Sequence, residues 1–222
     1  MGKVVVIDGP AGSGKSTTAI ELAKRLGFIY LDTGAMYRAL TLKLLRAGKE
    51  LLADNNKVTE IIYNTDINLS PLSDDGLAVY LDGNDVTEEI RSNEVDGFVS
   101  EVAAVDQIRE YMHVLQRRFA IKHNIVAEGR DLGTYVFPKA DIKIFLVADL
   151  EERAKRRLLQ KHANEADLQI FRDNLAKRDK IDSGRSHSPL KKADDAVEVD
   201  TTNLTFDQQV EKILEICHQK IK

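Results

Sequence analysis

The residues with the clearest chemistry form a glycine-rich segment near the amino terminus, Gly9-Pro10-Ala11-Gly12-Ser13-Gly14-Lys15-Ser16, which fits the pattern G-x-x-x-x-G-K-[ST]. Glycines allow the backbone conformations in which several N–H groups face one phosphate, and a following helix would add its positive amino-terminal end. Lys15 is expected to reach the β- and γ-phosphates of a nucleotide, and the Ser16 hydroxyl to bind Mg²⁺. We therefore predict nucleotide contacts from residues 9–16 and from Thr17. The alternative is an ordinary glycine turn.

A second group of polar side chains follows a predicted strand, in the segment Leu31-Asp32-Thr33-Gly34-Ala35-Met36-Tyr37-Arg38. Open α/β sheets bind their ligands beyond the carboxyl ends of the strands, which is where this segment would lie. Thr33 and Tyr37 are about one helical turn apart and offer hydroxyls, and Arg38 offers the planar guanidinium that suits a phosphate. The alternative is that Tyr37 packs on an amphipathic helix and that Arg38 is a surface residue.

The segment Ile125-Val126-Ala127-Glu128-Gly129-Arg130-Asp131 places three charged residues at the end of another predicted strand. Glu128 stands where P-loop enzymes have the acid that helps to hold Mg²⁺ through water. Arg130 can neutralise a phosphate, and Asp131 directs a carboxylate toward the same crevice. Because unsatisfied buried charges are costly, such a cluster usually faces a ligand or a partner. The alternative is a simple turn.

These motifs lie in an alternation of short apolar strands and amphipathic helices. Strand 3–8, helix 15–26, strand 28–32 and helix 34–47 follow one another, and this order predicts a parallel sheet with helices packed on its faces. The other predicted elements are two antiparallel strands at 67–69 and 77–81 with turn-forming residues 70–76 between them, helices at 94–103, 106–122, 151–162 and 165–180, strands at 124–128, 141–147 and 197–200, and a last helix that begins with a capping box at Thr205 and Gln208. We therefore predict a three-layer α/β/α fold with a central parallel sheet and a small antiparallel insertion.

The composition excludes several classes of protein. The chain has 222 residues and a net charge of −4, a length that suits one domain and a charge that argues against a general nucleic-acid binder. Its 43% hydrophobic content argues against disorder. The single cysteine, Cys217, excludes an intrachain disulfide and is expected to be buried on the last helix. No apolar run approaches the ~20 residues that span a bilayer, and a strand-like run begins close to Met1, so we expect a cytoplasmic protein without a signal peptide.

The segment 151–192 is more basic than the rest of the chain. It holds 12 Lys and Arg and 7 Asp and Glu, a local charge of +5. One explanation is a solvated helical face, and the other is a mobile element that closes over an anionic ligand. Arg153, Arg156 and Arg157 favour the second explanation, because spacings of three and four residues place them on one helix face.

Taken in order, these motifs resemble those of the bacterial cytidylate (CMP) kinases over essentially the whole chain. The matching segments are the P-loop, residues 31–38, the run Glu128-Gly129-Arg130-Asp131-Leu132-Gly133-Thr134 with Val136-Phe137-Pro138 after it, and residues 81–91, 100–109, 151–157 and 178–190. The resemblance implies transfer of the γ-phosphoryl group of ATP, with Mg²⁺, to CMP or dCMP. It also implies one domain over residues 1–222, with a monophosphate-binding insertion at about 63–91 and a helical lid at about 153–188.

The resemblance also implies roles for individual residues of this chain. It implies that Arg38 and Arg130 bind the acceptor phosphate and that Thr33 lies near the acceptor's sugar and base. It implies that the residues that read cytosine are Ser100, Arg109, Asp131 and Arg185. It also implies that Arg178 and Asp182 of the lid approach the pentose and the phosphates, and that Arg157 lies near the donor nucleotide. Tyr37 completes the expected substrate-binding set. The chain departs from the family pattern at Ile181 and Ser183, where some relatives carry arginines, and at Glu128, where Asp is common.

The chemistry of cytosine agrees with this assignment. Its exocyclic amine can donate to Asp131 and Ser100, and its ring nitrogen and carbonyl can accept from arginines such as Arg109 and Arg185. Uracil would place a carbonyl against the carboxylate, and such a mismatch can cost a factor of ~10⁴ when the site depends on these hydrogen bonds. We therefore expect poor turnover of UMP.

Phosphoryl transfer depends mainly on positioning and on charge stabilisation. The expected catalytic residues are Lys15, Arg38, Arg130, Arg178 and Asp182. No general base is expected, because the attacking oxygen belongs to an acceptor phosphate that is already anionic.

Other functions are compatible with parts of this pattern. One alternative is a P-loop kinase for another nucleoside monophosphate, such as UMP, or for a small-molecule acceptor such as shikimate. Another is a nucleotide-dependent binding switch, although an Asn-Lys-x-Asp motif typical of GTPases is absent from the sequence. The expected partners are ATP and CMP or dCMP, with no nucleic acid and no membrane, and the protein is expected to be a monomer.

Overall fold

The computed structural model describes residues 2–71 and 77–220. Its strands are β1 (Val4–Asp8), β2 (Ile29–Asp32), β3 (Ile67–Pro71), β4 (Leu77–Leu81), β5 (Asn84–Asp85), β6 (Ile125–Gly129), β7 (Ile142–Val147) and β8 (Val197–Asp200). Five of them form a parallel sheet in the order β2-β6-β1-β7-β8, and three form an antiparallel sheet in the order β3-β4-β5. The predicted parallel sheet and antiparallel insertion are therefore confirmed. Residues 72–76 of the predicted turn lie outside the described residues.

The helices are α1 (Lys15–Leu26), α2 (Thr33–Ala47), α3 (Asn55–Tyr63), α4 (Asn93–Val102), α5 (Asp106–Lys122), α6 (Leu150–Gln160), α7 (Leu168–Ser183) and α8 (Phe206–Lys220). Short 3₁₀ turns at Lys49–Ala53, Glu89–Arg91 and Glu165–Asp167 and a π-helical turn at Leu132–Val136 complete the described helical structure. The sequence did not predict α3 or the π-helical turn. None of the helices in the described ranges is long and apolar enough to cross a membrane.

The central strand β1 shows why helices cover both faces of the parallel sheet. Val4 and Val6 belong to an apolar cluster formed with α2, α4 and α5, whereas Val5 and Ile7 belong to a second cluster formed with α1 and α8. Successive side chains of a strand point to opposite faces, so an unbroken apolar run supplies both cores. The three-layer arrangement that the sequence predicts is confirmed, and Cys217 is buried in the second cluster as expected.

The small antiparallel sheet packs against the helix that follows β2. In its register, Ile67 of β3 faces Leu81 of β4, and both side chains join Leu40 and Leu44 of α2 in the first apolar cluster. The Asp82-Gly83 turn predicted from the sequence connects β4 to β5. This insertion is therefore attached to the parallel sheet through α2.

The parallel direction of the five strands collects the chemical motifs at one edge. The glycine-rich loop follows β1, Thr33 follows β2, Arg130 follows β6 and the basic helix α6 follows β7. The carboxyl ends of parallel strands meet at the same edge of a sheet, where open α/β folds bind ligands.

The predicted capping box at the start of α8 is present, since Thr205 Oγ1 accepts from the Gln208 N–H and Gln208 Oε1 accepts from the Thr205 N–H.

Candidate active site

The glycine-rich loop runs from the end of β1 to the start of α1. Gly9, Gly12 and Gly14 have φ values of 149°, 78° and 89°, a region that favours glycine. A Cβ on Gly9 would lie 2.1 Å from the carbonyl oxygen of Leu146 on the neighbouring strand β7. The motif's glycines are therefore required both by backbone conformation and by close packing.

Side chains from other elements support the backbone of this loop. Three of them donate to its carbonyl oxygens, namely Arg153 to Ala11 (3.0 Å), Thr201 to Ser13 (3.3 Å) and Gln209 to Gly14 (3.5 Å). They come from α6, from the segment after β8 and from α8. The sequence predicted the loop but none of these three supports.

Lys15 is buried at the start of α1, as a phosphate-binding lysine of this motif requires. Its Nζ donates to the carbonyl oxygen of Pro10 at 2.7 Å. Burial lowers the pKa of this amine to about 7, and the positive charge of Arg130 adds to the shift, while the charge of Glu128 opposes it. The lysine of the phosphate loop therefore lies among the charged residues predicted at the end of β6.

Asp8 fixes the phosphate loop to the segment that follows Arg130. Its two carboxylate oxygens accept from the backbone N–H groups of Leu132, at 3.0 Å, and Gly133, at 2.7 Å. Burial raises the pKa of Asp8 to about 6, against the influence of these two hydrogen bonds. One carboxylate directly before Gly9 thus joins the phosphate loop to the π-helical turn that follows Asp131.

Asp131, expected to read cytosine, is buried with two donors at one of its oxygens. Arg109 and His113 of α5 both reach Oδ2, the His113 Nε2 at 3.1 Å. Arg109 is also fully buried and donates to the carbonyl oxygen of Ala103 at 3.0 Å. Burial acts to raise the pKa of Asp131, but the hydrogen bond from His113 and the charge of Arg109 hold it below its ordinary value. Asp131 is therefore a carboxylate at neutral pH.

Buried polar atoms next to this pair lack partners in the part of the chain that the structure describes. They are the Tyr37 hydroxyl and the Nε atoms of Arg109 and Arg185. The Arg109 guanidinium carbon lies 5.6 Å from the centre of the Tyr37 ring, and the charges of Arg109 and Arg185 both oppose the rise in the Tyr37 pKa that burial causes. Native proteins rarely leave buried polar groups unpaired, so these atoms indicate a place that a polar ligand fills.

Arg38 and Arg130, expected to bind the acceptor phosphate, each pair with a carboxylate. Arg38 pairs with Asp96 of α4, and the Arg130 Nε donates to Asp182 Oδ2 at 3.0 Å. Arg178 is half-buried near both arginines, and its partial burial and then the charges of Arg130 and Arg38 lower its pKa to about 10. The structure therefore brings together three arginines from α2, α7 and the end of β6.

Asp96 is a residue of this region that the sequence did not indicate. Its Oδ1 accepts from Arg38, and its Oδ2 accepts from Arg157 of α6 at 2.7 Å, with the Lys161 Nζ at 3.8 Å. Burial acts to raise the pKa of Asp96, but the charges of Arg38 and Arg157 lower it overall. Arg157, expected near the donor nucleotide, thus contacts the carboxylate that also holds Arg38.

The three arginines expected on one cationic face of α6 reach three different places. Arg153 is buried and donates to Asp179 at 2.6 Å as well as to the phosphate loop. Arg156 donates to the carbonyl oxygen of Thr201 at 2.6 Å, and Arg157 pairs with Asp96. Their spacing predicted one shared cationic face, but each of these long side chains donates to a different acceptor.

The remaining expected substrate residues lie at the start of α2, in the segment that follows α7, and on α4. Thr33 is buried at the start of α2, and its hydroxyl donates to the carbonyl oxygen of Glu128 at 2.6 Å, which ties β2 to β6. Arg185, which is expected to read cytosine, pairs with Asp182. Because Asp182 also pairs with Arg130, this carboxylate connects Arg185 to Arg130. Ser100 is buried on α4, and no hydrogen bond among the described residues links it to Asp131.

The oxygen donors at the end of the loop fit a magnesium ion that arrives with a nucleotide. Ser16 is exposed at the start of α1, as is Thr17, whose hydroxyl donates to the carbonyl oxygen of Gly14 at 3.0 Å. Glu128 is buried and its Oε1 accepts from the Tyr30 hydroxyl at 2.7 Å. Residues 2–71 and 77–220 contain no group of three His, Cys, Asp or Glu that could hold a metal. Mg²⁺ usually takes one or two protein oxygens together with substrate phosphates, and Ser16 and Glu128 match this requirement.

Besides the supports of the loop, three titratable residues of the site were missed by the sequence analysis, and the available signals differ. Asp8 stands directly before Gly9 at the end of an apolar strand, so its position alone indicated the site. His113 follows Arg109 by one helical turn, which places it beside that residue. Asp96 carries no signal in the sequence, because its partners come from two distant segments.

The fold and the loop define the class of the protein. A P-loop phosphate-binding α/β protein has a strand, a glycine-rich loop with its lysine, and a helix at the edge of a parallel sheet. This chain has all of these features, and the same edge of its sheet also carries a cluster of arginines. Two solved structures share the fold across nearly the whole chain. They are TT1252 from Thermus thermophilus, with a TM-score of 0.52 and 14% identity over 100% of this chain and 98% of that one, and an uncharacterized protein from Eubacterium ventriosum, with a TM-score of 0.52 and 13% identity over 99% of both.

Sequence relatives identify the family within this class. The model of the cytidylate kinase family matches residues 5–219. A cytidylate kinase of Carboxydothermus hydrogenoformans is 48% identical over 219 residues, which are 97% of this chain and 97% of the relative. A cytidylate kinase of Bacillus subtilis is 44% identical over 218 residues, 97% of this chain and 96% of the relative. The chain belongs to the cytidylate kinase family.

Proposed function

We propose that this protein transfers the γ-phosphoryl group of ATP to CMP and dCMP, with ADP and CDP or dCDP as products. Family membership and the P-loop support a phosphotransferase. The observation that carries the choice of acceptor is the buried, ionised Asp131, which lies beside the unpaired donors of Arg109 and Arg185. An ionised carboxylate can only accept hydrogen bonds, so it selects a base that presents an amine.

The pattern of donors and acceptors supports cytosine over uracil. Asp131 and Ser100 are proposed to accept from the exocyclic amine, and Arg109 and Arg185 to donate to the ring nitrogen and the carbonyl oxygen. Uracil would set its carbonyl oxygen against a carboxylate and leave both unpaired, which in hydrogen-bonding sites costs up to ~10⁴ in specificity. Tyr37 is proposed to bind the acceptor with its unpaired hydroxyl, and Thr33 to line the same pocket.

Charge stabilisation is proposed to supply most of the catalysis. The transition state of phosphoryl transfer is loose and spreads negative charge over the transferred group. Lys15, Arg38, Arg130 and Arg178 are the proposed cations, and Asp182 is proposed to orient Arg130. When Mg²⁺ is bound with ATP it offsets phosphate charge, and Ser16 would hold it directly and Glu128 through water. The anionic acceptor phosphate attacks in line and needs no general base.

The insertion at about 63–91 and the helices at about 153–188 are proposed to serve as the monophosphate-binding part and the lid of one domain over residues 1–222. The lid contacts both halves of the site, because Arg153 donates to Ala11 of the phosphate loop and Arg157 to Asp96. Closure of such an element excludes water, which would otherwise hydrolyse ATP. Residues 9–17 and Arg157 are the proposed contacts of the donor nucleotide. We further propose a cytoplasmic monomer whose partners are ATP and CMP or dCMP, with neither nucleic acid nor membrane.

The test is a coupled ADP-release assay with ATP and Mg²⁺ and each of CMP, dCMP, UMP, AMP and GMP. The proposal predicts rapid ADP release with CMP and dCMP, slow release with UMP and background release with AMP and GMP. Preference for UMP would favour the alternative of a kinase for another nucleoside monophosphate. Release of ADP at the same rate with and without acceptors would contradict phosphoryl transfer altogether.

A further inference from the structure

The buried side chain of His113 lies next to the residues that are proposed to read cytosine, and it has none of the catalytic or binding roles proposed above. His113 follows Arg109 by one turn of α5, and its side chain is 10% exposed. Its Nε2 lies 3.1 Å from Asp131 Oδ2. Because an ionised carboxylate has only acceptor atoms, the hydrogen of this bond is on the Nε2 of His113.

The two donors of Asp131 act on the same oxygen. Arg109 and His113 both reach Oδ2, and no donor among the described residues reaches Oδ1. Two hydrogen bonds from one helix fix the rotation of the carboxylate plane. They leave Oδ1 as the acceptor that a ligand can use.

We propose that His113 is a positioning residue that sets the specificity of the acceptor site, because it holds Asp131 as an oriented carboxylate whose Oδ1 accepts from the amine of cytosine. This inference rests on the proposed function. It assigns to His113 no contact with the substrate.

The consequence for specificity follows from the chemistry of a carboxyl group. The hydrogen bond from His113 and the positive charge of Arg109 both lower the pKa of Asp131, against the rise that burial causes. Without His113, Asp131 would take up a proton more readily. A protonated carboxyl can donate to the carbonyl oxygen of uracil, so the loss of His113 should weaken the use of cytosine and relax the rejection of uracil.

The experiment compares two substitutions of His113 in steady-state kinetics with CMP and with UMP. His113→Leu removes the donor, and His113→Gln keeps an N–H group at a similar distance along the side chain. His113→Leu is expected to raise the KM for CMP about tenfold, the loss of about one hydrogen bond to a charged group, and to leave the KM for ATP unchanged. The ratio of kcat/KM for UMP to that for CMP should rise. His113→Gln should restore most of the wild-type values.

Gln116 provides a matched control on the same helix. It is buried, as His113 is, and its amide has no hydrogen-bond partner in the described ranges. Gln116→Leu therefore makes a similar change in α5 without a contact to Asp131, and should leave both KM values unchanged. If His113→Leu does not fold, His113→Asn, whose amide reaches less far, is expected to show the same CMP defect.

Two results would overturn the inference. One is a His113→Leu enzyme with wild-type constants for both CMP and UMP, and the other is an equal rise in the KM for CMP and for ATP. Failure of the unmodified enzyme to phosphorylate CMP would contradict the proposed function instead. The two failures are therefore distinguished in the same assay.

Discussion

The two ends of this site are built in different ways. The phosphate loop is a backbone structure, whose glycines have positive φ and whose supporting side chains, such as Arg153 and Gln209, donate to its carbonyl oxygens. The side that is proposed to bind the acceptor is built from charged side chains, since Asp131, Asp96 and Asp182 each hold arginines that come from other elements.

This difference indicates how each end should respond to substitution. A loop defined by its backbone keeps its shape when one side chain is removed, so the loss there is the chemistry of that side chain. On the acceptor side, removal of one carboxylate leaves buried or half-buried arginines without that partner, which is costly. Substitutions in the loop should therefore affect the transfer itself, and substitutions on the acceptor side should mainly affect the use of CMP.

The largest effect is expected for Lys15→Ala. The loop keeps its glycines and supports, but the cation that is proposed to lie near the transferred phosphoryl group is lost, so kcat should fall by about 10³. Thermal unfolding should stay close to that of the wild type. Lys122→Ala, a change at an exposed lysine at the end of α5, is the control and should have normal kcat. A Lys15→Ala enzyme with near-normal turnover would refute the assignment of the loop.

Asp131→Ala tests the acceptor side at its most buried ion pair. Arg109 would remain buried without its partner, and breaking such a pair costs about 3–5 kcal/mol. We expect kcat/KM for CMP to fall by about 10²–10³ and the calorimetric affinity for ATP to stay the same. Equal losses for CMP and ATP would show that Asp131 serves the fold and not the acceptor.

Asp8 connects the two ends of the site, and its substitution should change how the free energy of unfolding depends on pH. Folding raises its pKa from 3.8 to about 6, so between these values the folded state binds the proton more tightly than the unfolded state. The stability of the wild type relative to Asp8→Asn should therefore be greatest below about pH 4 and fall by up to about 3 kcal/mol as the pH rises to 7.

Urea unfolding of the wild type and Asp8→Asn at several pH values measures this difference. The difference removes the titration of all other groups that the two proteins share. A difference in unfolding free energy that is constant from pH 4 to pH 7 would show that Asp8 is ionised normally. Burial would then not raise the pKa of Asp8 on folding.

The smallest effect is expected for Asp96→Asn. Arg38 and Arg157 would lose the charge that holds them together, and the KM for CMP should rise about tenfold, the energy of about one charged hydrogen bond. The matched control is Glu60→Gln in the exposed pair of Glu60 and Lys57 on α3, which should change the KM little. If the Asp96→Asn enzyme has the same KM for CMP as the control variant, Arg38 is oriented by other contacts.

The comparison of the two ends also explains what could be predicted from the sequence. The phosphate loop is a local structure, so its motif predicted the strand, the glycine conformations and the helix that follows together. The parallel sheet was equally predictable, because the apolar run of β1 and the order of strands and helices determine it. The confirmed bounds of α1 and β8 show how well such local patterns work.

The acceptor side depends on contacts between segments far apart in the chain. The pair of Arg38 and Asp96, and the pair of Arg130 and Asp182, each join residues more than fifty positions apart. A single sequence contains no local pattern for such pairs. The π-helical turn after Asp131 was missed for a similar reason, because its backbone is held by Asp8 from a different strand.

The central claim is that two nucleotides meet end to end over one edge of the sheet. The most direct measurement is a crystal structure with a bisubstrate compound in which adenosine and cytidine are joined through a chain of phosphates. The account predicts phosphates along residues 9–16 and beside Arg38 and Arg130, with the cytosine amine in hydrogen-bond contact with Asp131. A cytosine bound away from Asp131 and Arg109 would contradict it.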